Sequence, residues 1–457
     1  MKQKDYPVRK GQVLDVEITG YTSEGAGVAR VDGLAVFVAG AICGETVRIR
    51  IAHLGHTAAY GDIVQILSAG PQRRTPECPH AKDCGGCVFW HMTYEEELRA
   101  KAQRVTDALN RIGGFDLPVV PISGSPAQTG YRNKAQFPVG MTKKGAAAGF
   151  FRQRTHQVVP IDRCLIQSEA ADRVKDTVTA WMNRNHISVY DETSHTGLVR
   201  HIYVRTAKDA SQVLVCLVIN GDGIPNQKDL VDKLLTDVDN ITSVCLSIHK
   251  KRGNSVLGDR FITIYGTDYI EDDLCGLRFR LSPRSFYQVN REQAEHLYEA
   301  AIKQAQLTGQ ETVLDLYCGT GTITLALSRH AEKVIGVEII PQAIADAKDN
   351  AARNHINNTE FFCADAAQAA AKFAEDGIRP HVIVVDPPRK GLDETVISSM
   401  VTMAPDRIVY VSCDPATLAR DCKRLAEQGY TLTHAEAFDM FPRCAHVESV
   451  VALTRNA

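Results

Sequence analysis

Cys413, Asp386 and Glu448 are the residues whose types and settings suit covalent chemistry. Cys413 follows the strand-like run Arg407-Ile408-Val409-Tyr410-Val411-Ser412 and precedes Asp414-Pro415, with helical character from near Ala416. That order puts the thiol on a loop at the carboxyl end of a strand, where open α/β sheets bind ligands. A thiol so placed is a candidate nucleophile. Asp386-Pro387-Pro388-Arg389-Lys390-Gly391 follows a second apolar run, Val382-Ile383-Val384-Val385. Consecutive prolines stiffen that loop and suit a wall against which a planar base stacks.

Carbon 5 of uracil is a poor nucleophile until something activates it. A thiolate adding to C6 turns C5 into an enolate carbon able to take a methyl group, and a base must then remove the C5 proton. Cys413 supplies the thiol. Glu448, at the start of the final strand-like run His446-Val447-Glu448-Ser449-Val450-Val451-Ala452-Leu453, is the expected base, because a carboxylate in an apolar setting has a raised pKa. His446 is expected on the same face by the period of two. Enzymes that methylate an amino group often carry an aromatic after the paired prolines. Arg389 stands there instead and argues against a nitrogen target. A cytosine-C5 enzyme would place a cysteine directly after a proline of this loop, and none is present.

A methyl donor needs its own site. Val313-Leu314-Asp315-Leu316-Tyr317-Cys318-Gly319-Thr320-Gly321-Thr322 reads as a strand entering a glycine turn and then a helix. Glycines let the backbone approach a ligand closely there. Thr324 takes the place of the third glycine of a dinucleotide fingerprint, and the next strand, Lys333–Val337, ends in Glu338, suited to ribose hydroxyls. Asp315, Gly319, Gly321 and Glu338 in that order fit S-adenosylmethionine better than NAD.

These elements need a scaffold. At 457 residues the chain is long enough for about three domains. It carries 44% apolar and 23% charged residues, as soluble globular proteins do. No apolar run approaches a membrane span, and Met1-Lys2-Gln3-Lys4-Asp5 has no apolar leader region, so a cytoplasmic location is expected. Residues 5–66 hold short alternating strands broken by glycines, the pattern of a small OB-like β-barrel. Residues 75–275 mix helices and strands, with a helix predicted from Thr93 to about Ile112. Residues 280–457 alternate strand and helix as a parallel, doubly wound Rossmann-like sheet does.

Thirteen cysteines argue against a simple disulfide set. Cys216, Cys245, Cys275 and Cys363 read as small buried apolar residues. Cys78, Cys84 and Cys87 form a C-x5-C-x2-C run, and Cys164 is the nearest fourth thiol. Three close cysteines and one distant one favour a closed, structural [4Fe–4S] cluster over zinc. A net charge of −2 does not mark a nucleic-acid binder, but residues 121–170 carry Arg132, Lys134, Lys143, Lys144, Arg152, Arg154 and Arg163 against only Asp162 and Glu169. Tyr131, Phe137, Phe150 and Phe151 lie among them, a mixture suited to phosphate contact and base stacking.

Taken with Tyr131-Arg132-Asn133-Lys134, Ser285-Phe286-Tyr287-Gln288-Val289-Asn290 and Ser412-Cys413-Asp414-Pro415, the chain resembles the bacterial RNA uracil-C5 methyltransferases, specifically the 23S ribosomal RNA branch with an N-terminal TRAM domain. The resemblance implies an S-adenosylmethionine site formed by Gln288, Tyr317, Glu338 and Asp386, with Cys413 as nucleophile and Glu448 as base. It also implies a uridine of 23S RNA flipped out of its loop as substrate and a tRNA T-loop uridine as runner-up, the tRNA branch lacking barrel and cluster. A non-catalytic RNA-binding assembly factor is the reading from another class. With no heptad pattern or self-pairing strand in view, a monomer is expected. Thr322 departs from the asparagine of some relatives, and Arg443-Cys444-Ala445 from their usual residues before His-Val-Glu.

Overall fold

Strands of period two open the chain: β1 (Val13–Glu17), β2 (Gly20–Tyr21), β3 (Gly27–Val31), β4 (Leu34–Val38), β5 (Thr46–Leu54) and β6 (Ala58–Ser68). In this computed structural model they form one six-stranded sheet in the order β1-β5-β6-β4-β3-β2. Val36, Val38, Val47, Ile49 and Ile51 turn into its core while their neighbours face out. The structure describes residues 6–253 and 255–456. The N-terminal pentapeptide read for a leader, Asp5 of the expected barrel span and Ala457 lie outside the described residues.

Helix α1 (Tyr94–Arg111) begins where its cap predicts, with the Thr93 hydroxyl accepting from the Glu96 N–H at 3.3 Å. The N-terminal sheet is docked on its first turn: the Tyr21 hydroxyl donates to Glu96, and Ile42 packs on Phe89 and Met92. β7 (Ile122–Ser123) follows, then β8 (Lys134–Thr142), β9 (Gly145–Phe151), β10 (Val158–Pro160), α2 (Glu169–Arg184), β11 (Val199–Thr206), β12 (Val213–Ile219), α3 (Gln227–Asp237), β13 (Ile241–Ile248) and β14 (Arg260–Gly266). β8 to β14 make a seven-stranded sheet in the order β10-β9-β8-β11-β12-β13-β14, with α2 and α3 packed together on it. β12 is apolar and buried at every position, as a strand covered on both faces is, while β11 is buried throughout although it carries Arg200, His201 and Arg205.

The hairpin β15 (Ile270–Leu274) and β16 (Leu277–Leu281) leads into α4 (Arg291–Ala305). Strand and helix then alternate as expected: β17 (Thr312–Leu316), α5 (Thr322–Ser328), β18 (Lys333–Glu338), α6 (Pro341–Arg353), β19 (Thr359–Cys363), α7 (Ala366–Glu375), β20 (Val382–Val385), α8 (Glu394–Met403), β21 (Arg407–Ser412) and α9 (Pro415–Glu427). β22 (Tyr430–Phe438) and β23 (Glu448–Arg455) finish the fold. The eight-stranded order is β19-β18-β17-β20-β21-β23-β22-β7. Side chains alternate between two cores: Val382, Val384, Val409 and Val411 enter one, Ile383, Val385, Ile408 and Tyr410 the other. Burying each such side chain contributes about 1.5–3 kcal/mol.

Two features differ from the expected parallel pattern. β23 runs antiparallel to both β21 and β22, and β7, from far earlier in the chain, extends the far edge beside β22. Since α1 also packs on α9, the segment before β8 is built onto the C-terminal sheet. Among the described residues, no helix is long and apolar enough to cross a membrane.

Candidate functional site

Strand direction brings Cys413 and Glu448 together. Ser412 at the end of β21 pairs with Ser449 of antiparallel β23, so Cys413 and Glu448, the residues next to that pair, lie at the same edge of the sheet, close enough for the Glu448 charge to act on the thiol. The loop is held before α9 begins: Ser412 Oγ accepts from the Asp414 N–H at 3.1 Å, and Asp414 Oδ1 caps the helix by accepting from Ala416 and Thr417 N–H, both at 3.0 Å. Cys413 is half-buried, whereas Glu448 is only 4% exposed. Burial raises the Glu448 carboxyl to about 8, with Asp386 adding and Arg389 opposing. Burial likewise pushes the Cys413 thiol up to about 11, helped by Glu448 and Asp386 and again opposed by Arg389.

Arg389 is the neighbour of both groups that the sequence reading undervalued. It had figured only as the absence of an aromatic, yet its guanidinium is the cation that opposes proton retention on both Cys413 and Glu448. Its Nη2 lies 3.3 Å from His446 Nε2. A charged side chain directly after two rigid prolines was the available signal. His446 is not where the period of two put it. β23 starts at Glu448, so His446 sits exposed on the preceding loop, edge-on to Phe441 at 5.9 Å.

The glycine turn lies at the same edge of the sheet. Tyr317 (φ 70°), Gly319 (φ 55°) and Gly321 (φ 84°) all take left-handed backbone, and a Cβ on Gly319 would meet nothing within 4 Å, so the chain there faces open space. Glu338 closes the turn from the next strand: Oε2 accepts from the Gly319 N–H at 3.2 Å and Oε1 from the Ile340 N–H at 3.0 Å. Ile339 and Ile340 beside it are exposed. Thr324, the missing third glycine, is fully buried and donates its hydroxyl to Asp315 Oδ2. Asp315 Oδ1 is buried with no partner, and burial, with Asp386 and Glu338 adding, raises that carboxyl to about 7. Asp386, at the end of β20, is raised to about 7 by burial.

Gln288 is buried on the segment between β16 and α4. Its main chain is held from the seven-stranded sheet side: Asn133 Nδ2 donates to the Gln288 carbonyl and Asn133 N–H to the Val289 carbonyl, both at 2.8 Å. Phe286, two residues earlier, is 63% exposed, and its carbonyl accepts from Thr320 Oγ1 of the glycine turn at 3.4 Å. Sequence alone gave Phe286 and Asn133 no role, since nothing local marks a contact between segments distant along the chain.

The expected metal centre does not hold. Among the described residues, no group of three or more His, Cys, Asp or Glu side chains is arranged to hold a metal ion. Cys78, Cys84, Cys87 and Cys164 instead line one small pocket with Trp90, Ile161 and Ile166. A hydrogen bond with Cys444 and then burial raise the Cys87 thiol, while burial raises Cys84 and pushes Cys164 up to about 11. Spacing along the chain carried that expectation and could not carry these surroundings. The expectation of an iron–sulfur, metal-binding protein falls with it. Cys363, expected to be buried, is exposed, and Cys275 is half-buried.

The basic and aromatic stretch divides differently. Phe137 lies wholly in the core, and buried Tyr131 donates its hydroxyl to the Pro442 carbonyl at 3.0 Å, so neither ring is free to stack. Arg152 pairs with Asp83 at 2.6 Å and Arg154 with Glu24 at 3.2 Å, whereas Lys143 and Lys144 are exposed.

Comparison with known proteins decides the family. A family model described as tRNA (uracil-5-)-methyltransferase matches residues 93–456, and a TRAM-domain model matches residues 7–64. The chain belongs to the tRNA (uracil-5-)-methyltransferase family. An uncharacterised RNA methyltransferase of Bacillus cereus is 41% identical over 450 residues, covering 98% of each chain. One of Caldanaerobacter subterraneus is 42% identical over 448 residues, covering 98% of this chain and 99% of its own. The crystal structure of Pyrococcus abyssi tRNA (uracil-54, C5)-methyltransferase in complex with S-adenosyl-L-homocysteine superposes with a TM-score of 0.77 at 26% identity, over 96% of this chain and 100% of that one. This uracil-5-methyltransferase family member is an enzyme with a Rossmann-like domain behind an N-terminal TRAM domain of β-strands.

Proposed function

We propose that the protein methylates C5 of a uridine in RNA, using S-adenosylmethionine as methyl donor, with Cys413 as nucleophile and Glu448 as base. The observation that carries this is the antiparallel register that sets Cys413 against Glu448 beside Arg389. Cys413 adds to C6 of the flipped uracil, giving C5 carbanion character, and Arg389 offsets negative charge as it develops. Once C5 carries the methyl group, Glu448 removes the C5 proton, and the Cys413–C6 bond breaks to restore the thiolate and the aromatic ring. S-adenosylmethionine, when bound, supplies an electrophilic methyl on a sulfonium centre. Glu338, the open turn at Gly319, exposed Ile339 and Ile340 and the unpartnered Asp315 Oδ1 fit such a ligand, with Tyr317, Asp386 and Gln288 completing the site.

A uridine of 23S ribosomal RNA is the proposed target, a cytoplasmic monomer the proposed state, and residues 5–66, 75–275 and 280–457 the proposed functional units. A tRNA T-loop uridine is the second reading, and one observation favours it. The Pyrococcus abyssi enzyme named for tRNA uracil-54 matches 96% of this chain, so an N-terminal TRAM region does not separate the two substrates. Purified protein and its Cys413→Ala variant, given tritiated S-adenosylmethionine with 23S and tRNA transcripts, test both readings. Label in 5-methyluridine of 23S RNA alone, lost in the variant, is the expected result. Label in tRNA alone moves the assignment to the T-loop, and retained activity without Cys413 ends the nucleophile reading.

A further inference from the structure

The loop between β22 and β23, which delivers Glu448, has no secondary structure of its own, yet its carbonyls are claimed one after another from outside. Met440 O accepts from Asn290 Nδ2 at 3.2 Å, Phe441 O from Lys101 Nζ at 3.1 Å, and Pro442 O from the Tyr131 hydroxyl at 3.0 Å. Arg443 O accepts from the Val88 and Phe89 N–H groups at 2.8 and 3.1 Å, and Ala445 O from Arg104 Nη1 at 2.9 Å. Of these donors only Asn290 lies C-terminal of β16.

Lys101 is the centre of this clamp. Its ammonium, 1% exposed, contacts Glu97 Oε1 at 2.7 Å and Asp439 Oδ1 at 2.6 Å besides the Phe441 carbonyl. Glu97 Oε1 also accepts the Arg443 N–H at 2.7 Å, and the Tyr94 hydroxyl donates to Asp439 Oδ2 at 2.8 Å. A buried ionic cluster adds little stability over a well-packed apolar one. What it does add is directional: Tyr94, Glu97 and Lys101 each pin an atom of the loop relative to α1, and one turn further along α1 Arg104 pins the residue next to His446.

We propose that Lys101 and Arg104 of α1 are positioning residues for the base, holding the 439–447 loop so that Glu448 meets the C5 proton of the substrate. The proposal rests on the reading of Glu448 as base. Its consequence is specific to one step. Addition of Cys413 and uptake of the methyl group need neither side chain, but removal of the C5 proton does. Loss of the clamp therefore leaves methylated RNA joined to Cys413 through C6, with the C5 hydrogen in place.

The test uses full-length protein, S-adenosylmethionine and a substrate transcript labelled with tritium at C5 of uridine. Lys101→Met, Arg104→Met and Arg104→Lys are compared with wild type and with Glu448→Gln. Tritium release and the protein–RNA adduct surviving denaturing electrophoresis are both measured. The expected result is tritium release at least tenfold slower in Lys101→Met and Arg104→Met, with the adduct accumulating as in Glu448→Gln and recovery in Arg104→Lys. If Glu448→Gln traps the adduct while both methionine variants turn over like wild type, the clamp proposal falls and the base stands. If the methionine variants form no adduct, they act on folding or addition, and the proposal is again overturned. If Glu448→Gln itself turns over normally, the base reading fails first.

Discussion

The main-chain N–H of Gly319 donates to Oε2 of Glu338 across 3.2 Å, tying the turn after β17 to the carboxylate that ends β18. Glu338 thus both shapes the turn and keeps lone pairs free for donors from a ligand, since each oxygen accepts a single N–H. Replacing it with alanine removes a charged acceptor, an interaction of about 1.5–3 kcal/mol. Glu338→Ala is expected to raise KM for S-adenosylmethionine roughly 10- to 100-fold. Calorimetric titration with S-adenosylhomocysteine checks it, and unchanged affinity would remove Glu338 from the cofactor site.

Asn133 spans the gap between the seven-stranded sheet and Gln288. Removing its amide loses the 2.8 Å bond to the Gln288 carbonyl, a net effect of about 1 kcal/mol. Asn133→Ala is expected to raise KM for S-adenosylmethionine about fivefold while kcat with saturating donor stays near wild type. Steady-state kinetics at fixed RNA separate the two constants.

Arg389 is expected to set the pH profile. Glu448 must be ionised to accept a proton, so the rate should climb with pH through the region near 8. Arg389 opposes the upward shifts of both Glu448 and Cys413. Arg389→Gln should therefore move the rising limb to higher pH and lower the rate most near neutrality, where less of each group is ionised. A single-turnover pH series on both proteins measures the shift, and superimposable profiles would dismiss the guanidinium from the chemistry.

Stability should run the other way with pH. The Glu448 carboxyl has a folded value near 8 against an ordinary 4.5, so the folded chain holds that proton more tightly than the unfolded chain. Its contribution is complete below about 4.5 and is lost as pH rises towards 8. Asp315 and Asp386, raised from 3.8 to about 7, act in the same direction. Glu448→Gln is expected to flatten the fall in Tm between pH 5 and 8, as thermal melts across that range would register.

Thr324 offers a check on the turn itself. Thr324→Val keeps the shape but leaves Asp315 Oδ2 without its hydroxyl donor beside an Oδ1 that already lacks a partner. The expected cost is about 1–3 kcal/mol in denaturant unfolding. No change in midpoint would mean that Asp315 stays protonated and satisfies itself elsewhere.

Much of this architecture was legible along the chain because its signals are local. Period-two runs in the N-terminal strands, the start of α1 at Thr93 and its end near Ile112, and the strand–turn–helix around Gly319 each depend on residues a few positions apart. Cys413 at a strand's carboxyl end was readable for the same reason. The cysteine spacing was equally visible and misled, because ligand geometry depends on how distant segments fold round one cavity.

Types and order of the proposed site residues are properties of the sequence alone: a thiol, a late carboxylate, a stiff loop and a glycine turn. Their meeting is not. Because β23 runs antiparallel, its first residue lies at the edge where the parallel strands end; a parallel β23 would have carried Glu448 to the opposite edge, a strand's length from Cys413. Strand direction is chosen by long-range pairing and by the loop that α1 holds in place, and no short window of residues encodes either.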